Sequence, residues 1–277
     1  DFLEKNKDLK INLRNNVKFE SINQKLCKHK LLGDFFNLRQ GTKPYGDKNI
    51  KDIELISKTQ KGIDWEKAIN GRNISRYFIQ VEGDYVSRCD KLHSVIEKEI
   101  VNGEKIYFQR MRKISLFPRI VACYDNNSYH GLYTCSVISK KPEVAISLKY
   151  TLSIINSKLI NLWYKYFDTD IEIKLASVKQ INIPELSEFD QQPFIDKVDV
   201  LLDITSKFEL IRSSFILLLS SKLDFDTLSN NLKNWYELEY SVFLIELKKK
   251  NIQLSLSEAA EWMQYFNEQK EKVQSLK

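Results

Sequence analysis

Four short stretches of the sequence carry side chains suited to binding a polyanion. They combine Arg and Lys cations, which bind phosphate groups, with planar amides and rings, which can contact the edges of bases. The candidate DNA-binding residues are Arg39, Gln40, Lys43 and Tyr45; Arg72, Asn73 and Arg76; Arg110, Arg112 and Lys113; and Asn126, Asn127, Tyr129 and His130. The chemistry that these residue types favour is nucleic-acid binding.

Two of the four stretches have the composition of loops. Gly41 and Gly46 flank part of the first and allow its backbone to approach a partner closely. The segment from Asp125 to Gly131 is too long for a tight hairpin turn, and its amides can pair bidentately with adenine. The alternative for each cation is a solvated surface position or, for a strand residue such as Arg110, an internal ion pair.

Motifs for catalysis are missing from these 277 residues. The three histidines, His29, His93 and His130, lie far apart and have no metal-ligand spacing. The sequence contains no glycine-rich dinucleotide motif and no P-loop. No two prolines are adjacent, so the Asn/Asp-Pro-Pro-aromatic motif that amino-methyltransferases use to hold a flipped base is also missing. We therefore expect no catalytic residue, no metal site and no cofactor in this chain.

One pattern favours a competing class, a metal-dependent nuclease. Restriction nucleases often carry an acidic residue followed at a distance by Glu-x-Lys, and Glu172 with Lys174 fits the second half if Glu143 supplies the first. The pattern is short, however, and Glu246 with Lys248 matches it equally. A nuclease fragment is kept as an alternative.

Charge is unevenly distributed along the chain. The net charge is +6, but residues 1–150 hold ten more cations than anions and residues 151–277 hold four fewer. A basic front half predicts a polyanion partner for that half alone.

Cysteine usage and hydropathy indicate a cytoplasmic protein. The four cysteines form no C-x-x-C pair, which favours reduced thiols. No apolar run approaches the roughly 18 residues of a membrane span, so we expect no membrane partner. The chain begins at Asp1 without an initiator methionine, and we interpret it as a piece of a longer protein.

Periodicity predicts an α+β fold: a mostly antiparallel β-rich domain followed by a long-helix hairpin or bundle. The predicted strands, rich in β-branched and aromatic residues, are Leu31–Leu38, Ile74–Val81, Lys105–Arg110, Arg119–Tyr124 and Tyr133–Ser139. Ser147 is predicted to cap a single helix that continues to about Phe167. The run Ile181–Pro184 predicts a short closing strand.

From Asp190 the sequence predicts helices only. The apolar seam of the first helix consists of Phe194, Val198, Leu201, Thr205, Phe208, Ile211, Phe215 and Leu218. Ser255 and Glu258 form a capping box that opens a last helix, which we expect to pack back on the first. The predicted organisation is a linker over 1–30, a recognition domain over 31–189 and a helical region over 190–277.

Several stretches, taken in order, resemble the TaqI-like specificity domain of restriction–modification DNA methyltransferases. They are Leu32–Gly41 (an "LGD…RxG" opening), Gly71–Tyr77, Lys105–Arg110, Arg119–Asp125, Tyr150–Leu159 (an "LNSkL" helix), and Ile181–Glu185 followed by Gln192–Ile195. The resemblance extends from Leu32 to about Glu209. The later helices look like the C-terminal extension of the larger fused enzymes.

The resemblance implies a division of labour. An upstream domain, missing from this chain, would bind S-adenosylmethionine and methylate an extruded adenine. This chain would bind double-stranded DNA and read its sequence as the target-recognition domain of a type II or type IIG enzyme, with the linker leading from the methyltransferase domain. The main alternative is a specificity subunit of a type I system, although such subunits normally hold two recognition domains. A protein-binding helical scaffold is a third possibility.

Overall fold

The computed structural model describes residues 17–45, 54–81, 83–223 and 228–276. Most of the predicted linker (1–16) and Gly46 lie outside the described residues. The chain divides into two compact units, Asp1–Asp199 and Val200–Lys277.

The first unit combines short strands with six helices among its described residues. In chain order its elements are α1 (Val17–Leu26), β1 (Lys30–Leu31), α2 (Leu32–Phe35), β2 (Phe36–Gln40), β3 (Ile56–Ser57), β4 (Trp65–Ile69), β5 (Ile74–Ser75), β6 (Phe78–Ile79), β7 (Asp84–Ser87), α3 (Lys98–Asn102), β8 (Lys105–Gln109), β9 (Ala122–Asp125), β10 (His130–Gly131), β11 (Cys135–Lys140), α4 (Leu148–Ile155), α5 (Lys158–Phe167), α6 (Leu175–Lys179) and β12 (Asn182–Ile183). The helix α7 (Glu188–Leu223) begins here and ends in the second unit.

Two four-stranded sheets form the framework of the first unit. One has the order β2-β11-β8-β9 and is antiparallel throughout; the other has the order β10-β4-β7-β3, with one parallel pair, β10 with β4. The inner strands β8 and β11 are buried almost along their whole length, as apolar and β-branched runs predict. The predicted α+β class with a mainly antiparallel sheet is confirmed.

Three elements differ from the sequence prediction. The strand predicted over Ile74–Val81 is two short strands, β5 and β6, that pair with each other because the chain turns at Tyr77, whose φ is 64°. The predicted strand Leu31–Leu38 is interrupted by α2, whose start is capped by the Asp34 carboxylate accepting from the Leu31 N–H at 2.9 Å. The single helix predicted after Ser147 is two helices, α4 and α5, separated at Asn156. Ser147 does cap α4 as predicted, by accepting from the Lys149 N–H.

Asn156 explains the break between these helices. Its side chain accepts from the Ala122 N–H at 3.2 Å and donates to the Ala122 carbonyl at 2.9 Å, so it is paired with strand β9 as another strand would be. Ser157 then caps α5 by accepting from the Ile160 N–H. The "LNSkL" stretch therefore connects the helical layer to the edge of the sheet.

The second unit is helical in its described residues. After α7 it contains α8 (Asn230–Lys233), α9 (Tyr240–Lys248) and α10 (Leu256–Ser275). Phe215 lies at its centre, stacked on Trp235 with ring centroids 3.9 Å apart and in contact with Phe266 of α10. The predicted packing of the last helix on the first and the Ser255–Glu258 capping box are both confirmed.

The predicted seam of α7 is only partly buried. Val198 and Phe215 are buried, whereas Phe194 and Leu201 are exposed and Leu219 replaces Leu218 as a buried position. No helix among the described residues has both the length and the apolar character needed to cross a membrane.

Candidate nucleic-acid interface

The short segment His130–Cys135, which runs from β10 to the first residue of β11, accepts hydrogen bonds from the first predicted loop. The Thr42 N–H donates to the Gly131 carbonyl at 2.8 Å, and the Gly41 N–H donates to the Cys135 carbonyl at 2.9 Å. A Cβ atom on Gly41 would lie 2.1 Å from the Leu132 carbonyl oxygen, so only glycine fits this approach. The loop Gly41–Tyr45 therefore begins at a fixed point of the sheet.

The second and third predicted clusters are bonded to the same segment. The Leu132 N–H donates to Ile69 at 2.8 Å, and the Gly71 N–H donates to the Thr134 hydroxyl at 2.9 Å, which places Arg72 beside it. The Arg110 N–H donates to the Thr134 carbonyl at 3.0 Å. Three loops that are distant in sequence thus converge on one segment.

The strand register places two of the three loops, those after β2 and β8, at the same end of their sheet. Ser136 pairs with Gln40, and Cys135 pairs with Gln109, so β2 and β8 end beside the start of β11. The side chains that follow these ends, Lys43 after β2 and Arg110 after β8, come from the two strands that flank β11. The arrangement is a set of polar loops on a rigid sheet edge, as binding sites commonly are.

The two asparagines of the fourth predicted stretch lie elsewhere, although His130 of the same stretch begins the convergence segment. Asp125 pairs with Lys105, at the opposite end of β8 from Gln109, about 13 Å away at the usual strand rise. Asn126 and Asn127 are exposed there. The structure does not bring these amides to the end where Gln40 and Arg110 lie.

The Asn126–Tyr129 loop is nevertheless held firmly. The Asp125 carboxylate accepts from the Asn127 N–H at 2.9 Å and from the Tyr129 N–H at 3.2 Å. The Tyr107 hydroxyl donates to the Tyr129 carbonyl at 2.8 Å, and burial raises the pKa of Tyr107 well above its ordinary value, so the hydroxyl stays protonated. The exposed amides are therefore presented on an ordered turn.

Two candidate contacts, His130 and Asn73, have buried side chains with internal roles, which corrects their interpretation as base-contacting groups. His130 is fully buried, with Nδ1 2.6 Å from Glu66 Oε2 and Nε2 2.6 Å from Thr42 Oγ1. Asn73 closes the turn after β4 by accepting from the Asn70 N–H at 2.7 Å. The buried His130 ring satisfies its neighbours, whereas the Asn73 Nδ2 atom is buried with no hydrogen-bond partner among the described residues.

The buried His130 belongs to a chain of polar contacts. Arg88 donates to Glu66 at 2.8 Å, Glu66 contacts His130, and the Thr42 hydroxyl accepts from the Ile96 N–H at 3.0 Å. The hydrogen bond with His130 is the main cause that lowers the pKa of Glu66 to about 2. This network connects the Gly41–Tyr45 loop to the second sheet.

The predicted arginines all have partners within the chain. Arg39 pairs with Glu97, Arg110 with Glu172 at 2.9 Å, and Arg72 approaches Asp84 at 3.4 Å. Arg76 donates to the Asn156 carbonyl at 2.9 Å, and Arg112 donates to the Pro118 carbonyl at 2.7 Å. Arg72 and Arg76 are exposed, and Arg39, Arg110 and Arg112 are half-buried.

Two predicted lysines differ from these arginines. Lys43 and Lys113 are exposed, and neither has a carboxylate partner within the part of the chain that the structure describes. Tyr45 is half-buried and its hydroxyl accepts from the Leu55 N–H at 3.0 Å. The cations best placed for an external phosphate are therefore Lys43 and Lys113.

Sequence reasoning missed the residues that hold these loops, chiefly Thr42, Glu66 and Arg119. Arg119 is buried and donates to the carbonyls of Arg112, Lys113 and Asp170 at 2.7–3.0 Å. An arginine that follows a single proline, Pro118, gives no sequence signal for this role. Glu66 has none either, because its partner His130 is 64 residues away.

The pattern that favoured a nuclease is not supported. Glu172 pairs with Arg110, and Lys174 pairs with Asp170. Among the described residues no group of three or more His, Cys, Asp or Glu side chains is arranged to hold a metal ion. The Glu172 carboxylate of the pattern is used in an internal ion pair.

Family comparison divides the chain at the start of α7. Residues 66–187 match the TaqI-like C-terminal specificity domain, and residues 187–277 match a domain of unknown function, DUF8810. The match to the TaqI-like specificity domain thus covers 66–187. It contains every predicted cluster except the first, since Arg39–Tyr45 precedes the matched residues.

Among solved structures, the chain is similar to the HsdS subunit from Thermoanaerobacter tengcongensis. The TM-score is 0.40 at 8% sequence identity, and the similarity covers 84% of this chain and 53% of that subunit. The chain thus spans about half the length of the subunit it matches. No curated protein matches the chain.

Proposed function

We propose that this chain recognises a specific sequence in double-stranded DNA as the specificity domain of an adenine-specific DNA methyltransferase of a restriction–modification system. The observation that carries the proposal is the convergence of three polar loops on His130–Cys135, largely within the segment that matches the TaqI-like specificity domain. Loops fixed on a rigid sheet are suited to reading base edges, because their side chains are positioned before DNA binds.

The proposed contacts fall into two groups. Lys43 and Lys113 would neutralise phosphates, since both are exposed cations. Gln40 and Arg72, which are exposed at the same loops, carry the planar donors and acceptors that distinguish base pairs. The cations position the duplex, and the planar groups supply the sequence preference.

Methyl transfer would belong to a separate domain that holds S-adenosylmethionine. The chain would act beside that domain by presenting the target sequence, and on its own it would transfer no methyl group. Incubation of the chain with labelled S-adenosylmethionine and mixed-sequence DNA tests this directly, because label in the DNA would contradict the proposed division of labour.

The salt dependence of DNA binding tests the proposal. If three to five phosphates are neutralised, log K should fall against log salt with a slope of about −3 to −4.5. Lys43→Ala should flatten the slope by about one unit. The matched control is Lys207→Ala, which removes an exposed lysine that pairs with Asp203 in the helical unit. Binding that does not respond to salt, or equal effects of the two substitutions, would contradict the proposal.

A further inference from the structure

The loop Met111–Pro118, which follows β8, exposes apolar side chains next to buried strands. Met111 is 53% exposed, Ile114 39%, Leu116 43% and Phe117 47%. Large apolar side chains that are exposed together commonly mark an interaction site, whereas isolated ones need no explanation. This apolar loop therefore requires a partner.

The charge of the loop indicates what that partner is. From Gln109 to Arg119 the sequence carries four cations, Arg110, Arg112, Lys113 and Arg119, and no acidic residue. Lys113 is exposed in the middle of the apolar side chains, without a carboxylate partner among the residues that the structure describes. Arg110 is paired with Glu172 and Arg119 is buried, so Lys113 is the cation that this loop best offers to a polyanion. An exposed cation among apolar side chains is complementary to a polyanion that also offers apolar faces, as stacked base pairs do.

The base of the loop is fixed by hydrogen bonds. Arg119 holds the carbonyls of Arg112 and Lys113, and it reaches across to the Asp170 carbonyl at 2.7 Å. Arg112 donates to the Pro118 carbonyl at 2.7 Å, which closes the loop on itself. The exposed side chains thus project from an ordered base.

The loop also leaves the sheet beside the proposed DNA-reading loops. Arg110 precedes Met111 directly and is bonded through its N–H to Thr134, and its guanidinium donates to the Tyr133 carbonyl at 3.2 Å. A duplex bound at the His130–Cys135 segment would therefore lie within reach of the residues that follow Arg110.

We infer that the Met111–Pro118 loop is a wedge that inserts an apolar side chain, Phe117 foremost, into a base step of the bound duplex while Lys113 binds an adjacent phosphate. The inference rests on the proposed function, since it requires duplex DNA on this face. Insertion of an apolar side chain between base pairs opens a step and kinks the duplex, and the exposed wedge is then buried among bases.

Tryptophan fluorescence tests the insertion. In Phe117→Trp, the new indole should stack on bases, and its fluorescence should be quenched when random-sequence duplex is added at low salt. The wild-type chain has four tryptophans of its own, so the signal is measured as the difference between the variant and the wild-type chain. The matched control is Phe189→Trp, because Phe189 is an exposed phenylalanine far along the chain, at the start of α7. Its signal should not change with DNA.

Affinity measurements separate the wedge from the cation. Phe117→Ala should weaken binding about tenfold at every salt concentration and leave the salt slope unchanged. Lys113→Ala should flatten the slope by about one unit, and Phe189→Ala should do neither.

The outcomes distinguish the wedge from the proposed function. Salt-dependent binding by the wild-type chain, with no quenching in Phe117→Trp and full affinity in Phe117→Ala, would overturn the wedge alone and assign the loop to a protein partner. No binding by the wild-type chain would overturn both.

Discussion

The Oγ1 atom of Thr42 lies 2.6 Å from the Nε2 atom of His130, and both side chains are buried. Through this contact the first predicted DNA-binding loop is joined to the strand pair β10–β4, and through Glu66 to Arg88 beyond it. A buried hydroxyl that serves two partners is costly to remove, because both partners lose a hydrogen bond.

We expect Thr42→Val to lower the free energy of unfolding by about 1–3 kcal/mol, because the Ile96 N–H and the His130 ring are left without this partner. The measurement is urea unfolding at neutral pH. Thr59→Val is the control, since Thr59 is exposed and should change stability by less than about 0.5 kcal/mol. Equal stability of the two variants would contradict a structural role for the Thr42 hydroxyl.

Lys105 and Asp125 form a buried ion pair, with Nζ and Oδ2 2.8 Å apart and both side chains fully buried. Burial lowers the pKa of Lys105, although the adjacent Asp125 opposes that change. We expect Lys105→Met to cost about 3–5 kcal/mol of stability, because it leaves the Asp125 charge buried without its partner.

The control for that prediction is Lys207→Met. Lys207 pairs with Asp203 on the surface of α7, where both side chains are mostly exposed, and the loss should be no more than about 1 kcal/mol. Thermal or urea unfolding of the two variants gives the comparison. A small loss in both would mean that the buried pair contributes no more than a surface pair.

The lowered pKa of Glu66 predicts a contribution to stability that is lost in acid. Its pKa is lowered to about 2, first by the hydrogen bond with His130 and next, against the effect of burial, by that with Arg88. A carboxylate with a lowered folded-state pKa stabilises the protein above its unfolded-state pKa near 4.5, and the contribution disappears as the pH falls towards 2. At neutral pH it amounts to at most about 3 kcal/mol.

We therefore expect Glu66→Gln to destabilise the chain at pH 7 and to have a smaller effect at pH 3. Urea unfolding at pH 7, 4.5 and 3 measures this difference. Glu246→Gln offers a parallel case in the helical unit, where hydrogen bonds from Lys249, Asn231 and Ser229 lower the pKa of Glu246 to about 2. A Glu66→Gln effect that grows as the pH falls would contradict the sign of the linkage.

Gly41 provides a test of loop position. A Cβ atom there would overlap the Leu132 carbonyl oxygen, so Gly41→Ala should force the loop away from the His130–Cys135 segment at a cost of about 1–3 kcal/mol. DNA affinity should fall as well, because Lys43 is two residues further along the same loop. Gly62→Ala is the control, since its Cβ would meet only a Trp65 ring atom at 3.6 Å. Normal DNA affinity in Gly41→Ala would exclude this loop from the interface.

The sequence predicted the strands β8, β9 and β11 and the helical second unit well, because their apolar periodicity is strong and local. The break at Asn156 was not predictable, since it depends on a pairing with Ala122 that lies 34 residues away. The single strand predicted over Leu31–Leu38 was wrong, because the capping by Asp34 favours a helical turn over Leu32–Phe35 against the β-propensity of these residues.

The candidate interface was predictable in its loops but not in its side-chain roles. Residue type identified Lys43 and Lys113 as exposed cations, which is where the structure places them. Residue type alone could not show that His130 and Asn73 are buried, because burial is set by the packing of separate loops. The arginines were recognised, but their partners Glu97, Glu172 and Asp84 come from other elements.

Substitution of Arg39 tests whether the chain reads the sequence of bound DNA. It is half-buried at the end of β2, paired with Glu97 and 3.3 Å from the Val95 carbonyl, so DNA must compete for its guanidinium. We expect Arg39→Ala to lose about 1–3 kcal/mol of binding only on a duplex selected by the wild-type chain from a random-sequence library, and little on a scrambled duplex. Lys43→Ala should weaken both duplexes alike, because a phosphate contact carries no sequence information. Glu97→Gln, which releases Arg39 and removes a negative charge, should strengthen binding to both. Equal losses on the two duplexes for Arg39→Ala would reduce Arg39 to a backbone contact, and no loss on either would exclude Arg39 from the interface.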